Sequence, residues 1–341
     1  MIEGFTRRGV LAGAMALPVA PALAQRRRPI RAILLGQSLI HEDLCAGPWP
    51  GLDGIRAALA GADVVFTDLE TAIEGPGAGP ATRTGETLHT APAYVIDCLK
   101  SLGVSIVTTA NNHAWDLGST GILTAIDALD RRGIIHAGTG RDIDTAFAPA
   151  VQQTPAGAFA LVSAATGAIR DGAGATPNRA GVAELRRLAS GELDAGDVAR
   201  SLDAIRRARA DGATVLFCLH NHHWEPVQSD TPAFQRAFAR QCIDAGAAAF
   251  VAHGTPLMQG IERYKGAPLF HGLGNFIFQT RKVDGFYKEP TWRSLIVDAR
   301  FRDGCFLSAT LIPVGLDASK HGGEFSRGTP GLLAGATRRR L

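Results

Sequence analysis

Short apolar runs alternate with helix-spaced apolar positions along most of the chain. The runs are bounded by polar or Gly-rich turns, as strands are, and the helix-spaced segments show one apolar face. We predict strands at 30–35, 64–70, 104–109, 134–136, 151–154, 159–164, 214–219 and 247–252, with helices at 54–60, 93–102, 119–132, 197–210 and 233–245. This alternation predicts an α/β fold. After residue 257 the pattern changes to short strands separated by turns.

Composition and turn residues set the expected boundaries. Ser119 is placed to begin the helix at 119–132 as its N-cap, and Gly133 to end it as a C-cap. No internal repeat or linker interrupts 25–318, which we interpret as one domain. The Gly- and Arg-rich residues 319–341 predict a flexible basic tail.

The first 24 residues have the features of an export signal. Arg7 and Arg8 precede an apolar, Ala-rich run that ends in the small-x-small pattern at 22–24. This predicts export by the twin-arginine route, cleavage after about Ala24 and a periplasmic or extracellular location. An uncleaved anchor is the alternative, which the short run and its prolines disfavour, and no other stretch is long and apolar enough to span a membrane.

Charge gives little indication of a partner. The formal net charge is +3 at pH 7, but arginine triplets at 26–28 and 338–340 supply six positive charges at the two ends. The rest of the chain is therefore acidic, and nothing predicts nucleic-acid binding. With 46% hydrophobic residues, the chain has ample material for a buried core.

The five cysteines contain no C-x-x-C pair. An exported protein can form disulfides, but Cys98 and Cys242 fall on apolar helical faces and Cys218 lies in a predicted strand. We therefore expect buried free thiols rather than disulfides or a metal cluster.

Metal-ligating and acid–base side chains collect at the predicted strand ends. Carboxyl ends of neighbouring parallel strands meet at one edge of a sheet, where open α/β folds bind ligands. The residues at these ends are Gln37, His41, Asp43, Asp68, Glu70, Asn112, His113, Asp116, His220, His222, His223 and His253. Imidazoles, carboxylates and an amide are ligands that Zn, Mn and Fe accept. The pattern predicts a cleft that binds a divalent metal. A site with a single ion is one of the alternatives.

Taken alone, each of these residues has a simpler structural interpretation. His113 by itself would be a hydrogen-bonded turn residue, and Asp68 and Glu70 would cap a turn. His222 and His223 point to opposite faces of an extended chain, so at most one joins His220. Trp224 is either packing or a wall of the cleft, and His41 and His89 are expected to be solvated. Ser-His-Asp catalysis is not indicated, because no G-x-S-x-G turn is present.

Three motifs, in order, resemble the CapA family of poly-γ-glutamate capsule synthesis proteins. They are Asn-Asn-His-Ala-Trp-Asp-Leu-Gly at 111–118, Ile-His-Ala-Gly-Thr-Gly at 135–140, and the blocks at 260–266 and 273–276. The resemblance implies a calcineurin-like metallophosphatase sandwich, with two central mixed sheets flanked by helices. It also implies Asn112 as a metal ligand and His113 as the residue that faces the reacting group.

Three positions depart from the family pattern, and those at 37 and 256 are the serious ones. Gln37 stands where the family has Asp after the first strand, and Pro256 stands where many members have His. Asp68 replaces the Asn of the family's Asn-Leu-Glu. These changes favour one metal, or a site rebuilt from Asp68, His220 and His222, over a complete two-metal centre.

The leading hypothesis is an exported hydrolase or transferase that acts on an anionic γ-glutamyl or phosphoester substrate. The candidate metal ligands are Asp68, Asn112, His220, His222 and His253. The candidate catalytic residues are His113 as general acid or charge stabiliser, Glu70 as base, and Asp116. The competing hypothesis is a non-catalytic periplasmic accessory protein that binds an anionic polymer or an assembly partner. A third is a phosphoesterase unrelated to capsule.

Overall fold

The computed structural model describes residues 1, 28–321, 323–335 and 337–341. The predicted export signal therefore lies outside the described residues, apart from Met1. The strands are β1 (Ile30–Leu39), β2 (Val64–Leu69), β3 (Ala72–Glu74), β4 (Thr90–Pro92), β5 (Ile106–Thr108), β6 (Ile135–Ala137), β7 (Thr139–Gly140), β8 (Ala150–Thr154), β9 (Gly157–Thr166), β10 (Gly181–Val182), β11 (Thr214–Asn221), β12 (Ala249–His253), β13 (Ile261–Tyr264), β14 (Ala267–Phe270), β15 (Asn275–Phe278), β16 (Arg293–Arg302), β17 (Cys305–Leu316), β18 (Pro330–Leu332) and β19 (Arg339–Arg340).

Among the residues that the structure describes, six α-helices connect or cover these strands. They are α1 (Leu52–Leu59), α2 (Tyr94–Ser101), α3 (Gly118–Arg132), α4 (Ile143–Ala146), α5 (Ala195–Ala210) and α6 (Ala233–Asp244). Among the described residues, no helix has the length and apolar character needed to cross a bilayer.

Two mixed sheets form the centre of the molecule. The larger has the order β18-β17-β16-β1-β2-β5-β6, with β15 beside the second half of β1 and β19 beside β17. The smaller has the order β13-β14-β12-β11-β9-β8. Within them β1, β2, β5 and β6 run parallel, as do β9, β11, β12 and β14. Apart from β14 and β15, these parallel strands come from the alternating part of the sequence.

The sheets pack face to face, and helices cover their outer faces. Phe66 of β2, Phe159 of β9 and Phe301 of β16 belong to the apolar layer between the sheets. Helices α1 to α3 contribute to a second apolar cluster on the larger sheet, and α5 and α6 to a third on the smaller sheet. The result is a helix–sheet–sheet–helix arrangement, which confirms the predicted mixed α/β class.

The predicted N-cap of α3 is wrong, whereas its C-cap is confirmed. Leu117 occupies the N-cap position, and Ser119 lies inside the first turn, where its hydroxyl donates to the Ala180 carbonyl at 2.7 Å. Ser119 thus makes a tertiary contact instead of a local cap. Gly133 ends the helix with φ 66°, a left-handed conformation that favours glycine.

The segment expected to be a flexible tail is paired with the larger sheet. Strands β18 and β19 both run antiparallel to β17. Phe325 is buried and stacks on the His41 ring, with centroids 4.4 Å apart. Sequence composition missed this because Gly and Arg do not reveal a partner strand.

The prediction of free thiols is wrong for two cysteines. Cys45 and Cys98 form a disulfide that joins the turn after β1 to α2. Cys218 and Cys242 are buried and free as expected, and Cys305 is free and exposed. The apolar helical face of Cys98 packs against the turn that carries Cys45, and the sequence pattern does not show that contact.

Candidate metal centre

The ends of β2, β5, β11 and β12 bring buried polar side chains together. Asp68 lies opposite Thr108 in the larger sheet, and His220 lies opposite His253 in the smaller one. The loop after β5 carries Asn112 to the same place, where it contacts His220. Four separate stretches of sequence thus meet at one point, as the strand-end argument predicts.

His220 is the centre of this cluster. Its Nδ1 lies 2.7 Å from Oδ2 of Asp68, and its Nε2 lies 2.9 Å from Oδ1 of Asn112. Burial lowers the pKa of His220 to about 3, so the ring is neutral and carries one N–H. If Asp68 accepts that hydrogen at Nδ1, then Nε2 keeps its lone pair. An imidazole backed by a carboxylate in this way is a recurrent metal ligand.

Glu70 and His222 complete a possible donor set. One ligand atom from each of Glu70, His220 and His222 can be chosen so that all lie within 4.8 Å of one another. Oε2 of Glu70 and Nε2 of His222 are buried and have no hydrogen-bond partner in the part of the chain that the structure describes. Unpartnered buried polar atoms are costly, and a divalent cation would satisfy both. These residues therefore fit a single metal ion.

Without a bound cation, the buried surroundings disfavour ionisation of the Glu70 and Asp68 carboxyl groups. Burial raises the pKa of Glu70 well above its usual range, and the nearby Asp68 and Asp116 raise it further. Burial raises the pKa of Asp68 to about 7, although His253 and Asn111 oppose the shift. A bound divalent cation would reverse both shifts, because it stabilises the charged carboxylates.

Two predicted metal ligands lie behind the donor set. Asp68 is fully buried and bonds to His220 and, at 3.0 Å, to Nδ2 of Asn111. His253 Nε2 lies 3.1 Å from the Leu35 carbonyl, and its Nδ1 lies 3.9 Å from Asp68. Asp68 is thus placed to orient His220, His253 lies against Asp68, and neither residue lines the cavity.

The positions of Gln37 and Pro256 disfavour a second ion. Oε1 of Gln37 accepts the Gly254 N–H at 2.7 Å, so this amide oxygen is already used. Leu39 and Pro256 line the neighbouring wall and offer no side-chain ligand. Neither position therefore offers an anionic side-chain ligand for a second ion.

His113 is oriented by a network of charges. Its Nδ1 lies 2.9 Å from Oδ2 of Asp116, which also accepts the His89 backbone N–H at 2.9 Å. Oδ1 of Asp116 accepts Nε of Arg83 at 2.6 Å. Burial lowers the pKa of His113 well below its usual range, and the Arg83 guanidinium adds to the effect. Asp116 does not line the cavity, so it positions His113.

A cavity of about 650 Å³ lies over the cluster. Glu70, His113 and His222 line its polar end. Trp224, whose ring lies 4.9 Å from that of His222 at a tilt of 38°, and Phe286 line the more apolar part. His223 points elsewhere, towards Phe234, so only one of the two neighbouring histidines joins His220, as expected.

The sequence interpretation missed three residues of this region. His41 is buried and His89 lines the cavity, although both were expected to be solvated. Arg83 comes from the Gly- and Pro-rich loop at 75–85 and pairs with Asp116, 33 residues later. A loop residue shows no periodicity, so only its basic side chain could have indicated a role.

Residues 23–280 match the bacterial capsule synthesis protein family PGA_cap. The chain belongs to this family. This confirms the resemblance carried by the motif at 111–118 and its companions.

Several curated proteins are similar to the chain. An uncharacterized protein of Sinorhizobium fredii is 32% identical over 302 residues, which cover 72% of this chain and 65% of the relative. The capsule biosynthesis protein CapA of Bacillus anthracis is 25% identical, with 69% of this chain and 53% of the relative aligned. A probable polyglutamine synthesis accessory protein of Mycobacterium tuberculosis is 28% identical, with 65% and 57% aligned. The aligned region spans less than two thirds of the length of each relative.

Proposed function

We propose that this protein is a metal-assisted hydrolase or transferase that acts on an anionic γ-glutamyl or phosphoester substrate. The observation that carries the proposal is the donor set of Glu70, His220 and His222, of which Glu70 and His222 line the same cavity as His113. The helix–sheet–sheet–helix arrangement, with its polar cluster at strand ends, supports a fold of the calcineurin-like metallophosphatase type.

The position of each residue in the site indicates its proposed role. Glu70, His220 and His222, with Asn112 beside them, would hold one Mn, Zn or Fe ion, which supplies polarisation of the scissile group or an activated water. His113 keeps its Nε2 towards the cavity because Asp116 holds its Nδ1. It is placed to accept or return a proton. The placement of Glu70 favours holding the metal over the general-base role predicted from sequence.

The substrate class follows from the relatives and the charges of the cavity. The relatives named for capsule biosynthesis and polyglutamine synthesis suggest an anionic polymer. Lys288 lines the cavity as a cation, and Trp224 offers an apolar surface for a polymer backbone. We therefore propose capsule-type polymer synthesis or processing as the setting.

Export is part of the proposal. The twin-arginine pattern at 7–8 predicts it, and the Cys45–Cys98 disulfide supports an oxidising compartment such as the periplasm or the cell exterior.

Metal analysis of the purified protein without residues 1–24 tests the proposal. We expect about one divalent ion per chain, lost in His222→Ala but retained in His223→Ala, the matched neighbour that faces Phe234. His113→Ala should keep the metal and lose turnover of poly-γ-glutamate or phosphoesters. No bound metal in the parent protein, or equal metal content in the two neighbouring variants, contradicts the donor set.

A non-catalytic accessory role is the second candidate. The engaged amide of Gln37 and the proline at 256 favour it, because they remove ligands that a two-metal enzyme would use. Polymer binding that is unaffected by chelation, without turnover by the metal-loaded protein, would select this role.

A further inference from the structure

Three imidazoles lie in a row beside the cavity, and the metal donor set uses none of them. Nε2 of His41 lies 3.0 Å from Nδ1 of His89. The rings of His89 and His113 meet edge to face, with centroids 4.3 Å apart. His89 and His113 both line the cavity, whereas His41 is buried behind them.

The hydrogen bonds determine which nitrogen of each ring carries the proton. Nδ1 of His41 lies 3.0 Å from the Thr90 carbonyl, which can only accept, so Nδ1 carries the hydrogen. Burial lowers the pKa of His41 to about 4, so the ring is neutral and its Nε2 is an acceptor. Nδ1 of His89 must then donate to it. Burial also lowers the pKa of His89, and a neutral His89 with Nδ1–H has a bare Nε2.

The same argument applies to His113. The Asp116 carboxylate is an acceptor for Arg83 and for the His89 backbone, so His113 donates its Nδ1–H to it. Its Nε2 is therefore bare as well. Neither Nε2 has a hydrogen-bond donor among the residues that the structure describes, and both rings line one cavity. A pair of acceptors side by side suits a ligand that presents a donor.

We propose that His89 is a second substrate-contacting imidazole whose Nε2 accepts a hydrogen bond from an amide N–H, with His41 as the residue that positions it. The proposal rests on the proposed function and narrows its substrate class. A γ-glutamyl chain carries an N–H at every amide, whereas a phosphodiester without free hydroxyl groups carries no such donor. His89 therefore favours amide substrates over such phosphodiesters.

The disulfide holds the two segments that carry this pair. His41 lies on the segment that leads to Cys45, and His89 and Thr90 lie on the segment that leads to Cys98. The Tyr94 hydroxyl also donates to the His41 carbonyl, at 3.1 Å. The disulfide and this hydrogen bond thus limit the separation of the two segments without involving the metal donor set.

Imidazole tautomers test the first half of the proposal directly. Long-range ¹H–¹⁵N correlation spectra of the ¹⁵N-labelled protein should show His89 and His113 as Nδ1–H tautomers. In His41→Ala, His89 should shift towards the Nε2–H tautomer, while the surface substitution His321→Ala should leave it unchanged. An Nε2–H tautomer in the parent protein, or no response of His89 to the loss of His41, overturns the proposal.

Substrate discrimination tests the second half. Against poly-γ-glutamate, His89→Ala should raise KM or weaken binding about tenfold, the size of one lost hydrogen bond. The loss on bis(4-nitrophenyl) phosphate, which has no amide N–H, should be clearly smaller than the loss on the polymer; the metal should be retained, and His89→Gln should restore part of the polymer binding. Equal losses on both probes, or no loss of polymer binding, contradict the contact. If the protein binds no metal and turns nothing over, the proposed function fails, while tautomer spectra and polymer binding still decide the role of His89.

Discussion

Asp116 and His113 form an enclosed pair, in which Nδ1 of His113 lies 2.9 Å from Oδ2 of a carboxylate with no exposed surface. The same carboxylate neutralises Arg83, whose side chain is largely buried. One acidic group therefore both orients the imidazole and balances the charge of the guanidinium.

Asp116→Asn should destabilise the protein by about 2–4 kcal/mol, because it leaves a mostly buried Arg83 without its counter-charge. Turnover, if the proposed function holds, should fall about 10²-fold as His113 loses its orientation. Urea unfolding and kinetics measure the two effects. Asp97→Asn, which breaks an exposed ion pair with Arg132, is the matched control and should cost under about 1 kcal/mol. Equal destabilisation by both variants would contradict the prediction.

The buried His41 should make stability depend on pH. Its pKa of about 4 in the folded protein lies below the value of about 6.5 expected in the unfolded chain. The folded state therefore binds fewer protons between these values, and the His41 contribution is present above pH 6.5 and lost as the pH falls towards 4.

His41→Asn removes this titration and keeps a side-chain donor for the Thr90 carbonyl. The stability difference between the parent protein and this variant should change by about 3 kcal/mol between pH 6.5 and pH 4, in the direction that favours the variant in acid. Urea unfolding across this range measures it, with His321→Asn as the surface control. A difference that does not change with pH would show that His41 titrates normally.

The disulfide predicts a defined thiol count. Denatured, unreduced protein should expose three thiols to Ellman's reagent, from Cys218, Cys242 and Cys305. The double change Cys45→Ser and Cys98→Ser should lower the free energy of unfolding by about 2–4 kcal/mol, because the bond closes a long loop in the unfolded chain. Cys305→Ser at the exposed position is the control. Five reactive thiols without reductant would rule the disulfide out.

Gly36 lies where β1 changes its neighbour from β16 to β15. A Cβ there would lie 2.4 Å from the Gly274 carbonyl oxygen, which belongs to the backbone. Gly36→Ala should therefore cost about 1–3 kcal/mol, as overpacking does, and disturb the adjacent Gln37. Gly260→Ala, where the added carbon would meet nothing within 4 Å, is the control, and thermal unfolding measures both. Similar melting temperatures for the two variants would contradict the close approach.

Periodicity predicted the elements that bury one continuous face. The strand at 64–70 and the helix at 119–132 appear as Val64–Leu69 and Gly118–Arg132. Periodicity did not predict strands that form only because they pair with a strand distant in sequence. Strand β1 extends to Leu39 because β15 pairs with its second half, and the residues after 319 become strands because β17 accepts them.

The residues of the candidate site likewise fall into those that the sequence predicted and those that it missed. Asn112, His113 and His220 were found because each follows an apolar run, and a strand's end is visible in sequence. Residues that face the cluster from irregular segments, such as Arg83 and His89, were missed. Their roles depend on contacts with Asp116 and His41, and no local pattern encodes those contacts.

By itself the sequence determined the α/β class, the family and the set of strand ends that carry chemistry, because period and motif are local properties. Only the tertiary structure decided which atoms share the cavity. Packing of the two sheets placed Glu70 with His220 and His222, and set Asp68 and His253 behind them. Which residues belong to the donor set and which lie behind it depends on how the two sheets face each other. That packing is a property of the whole chain.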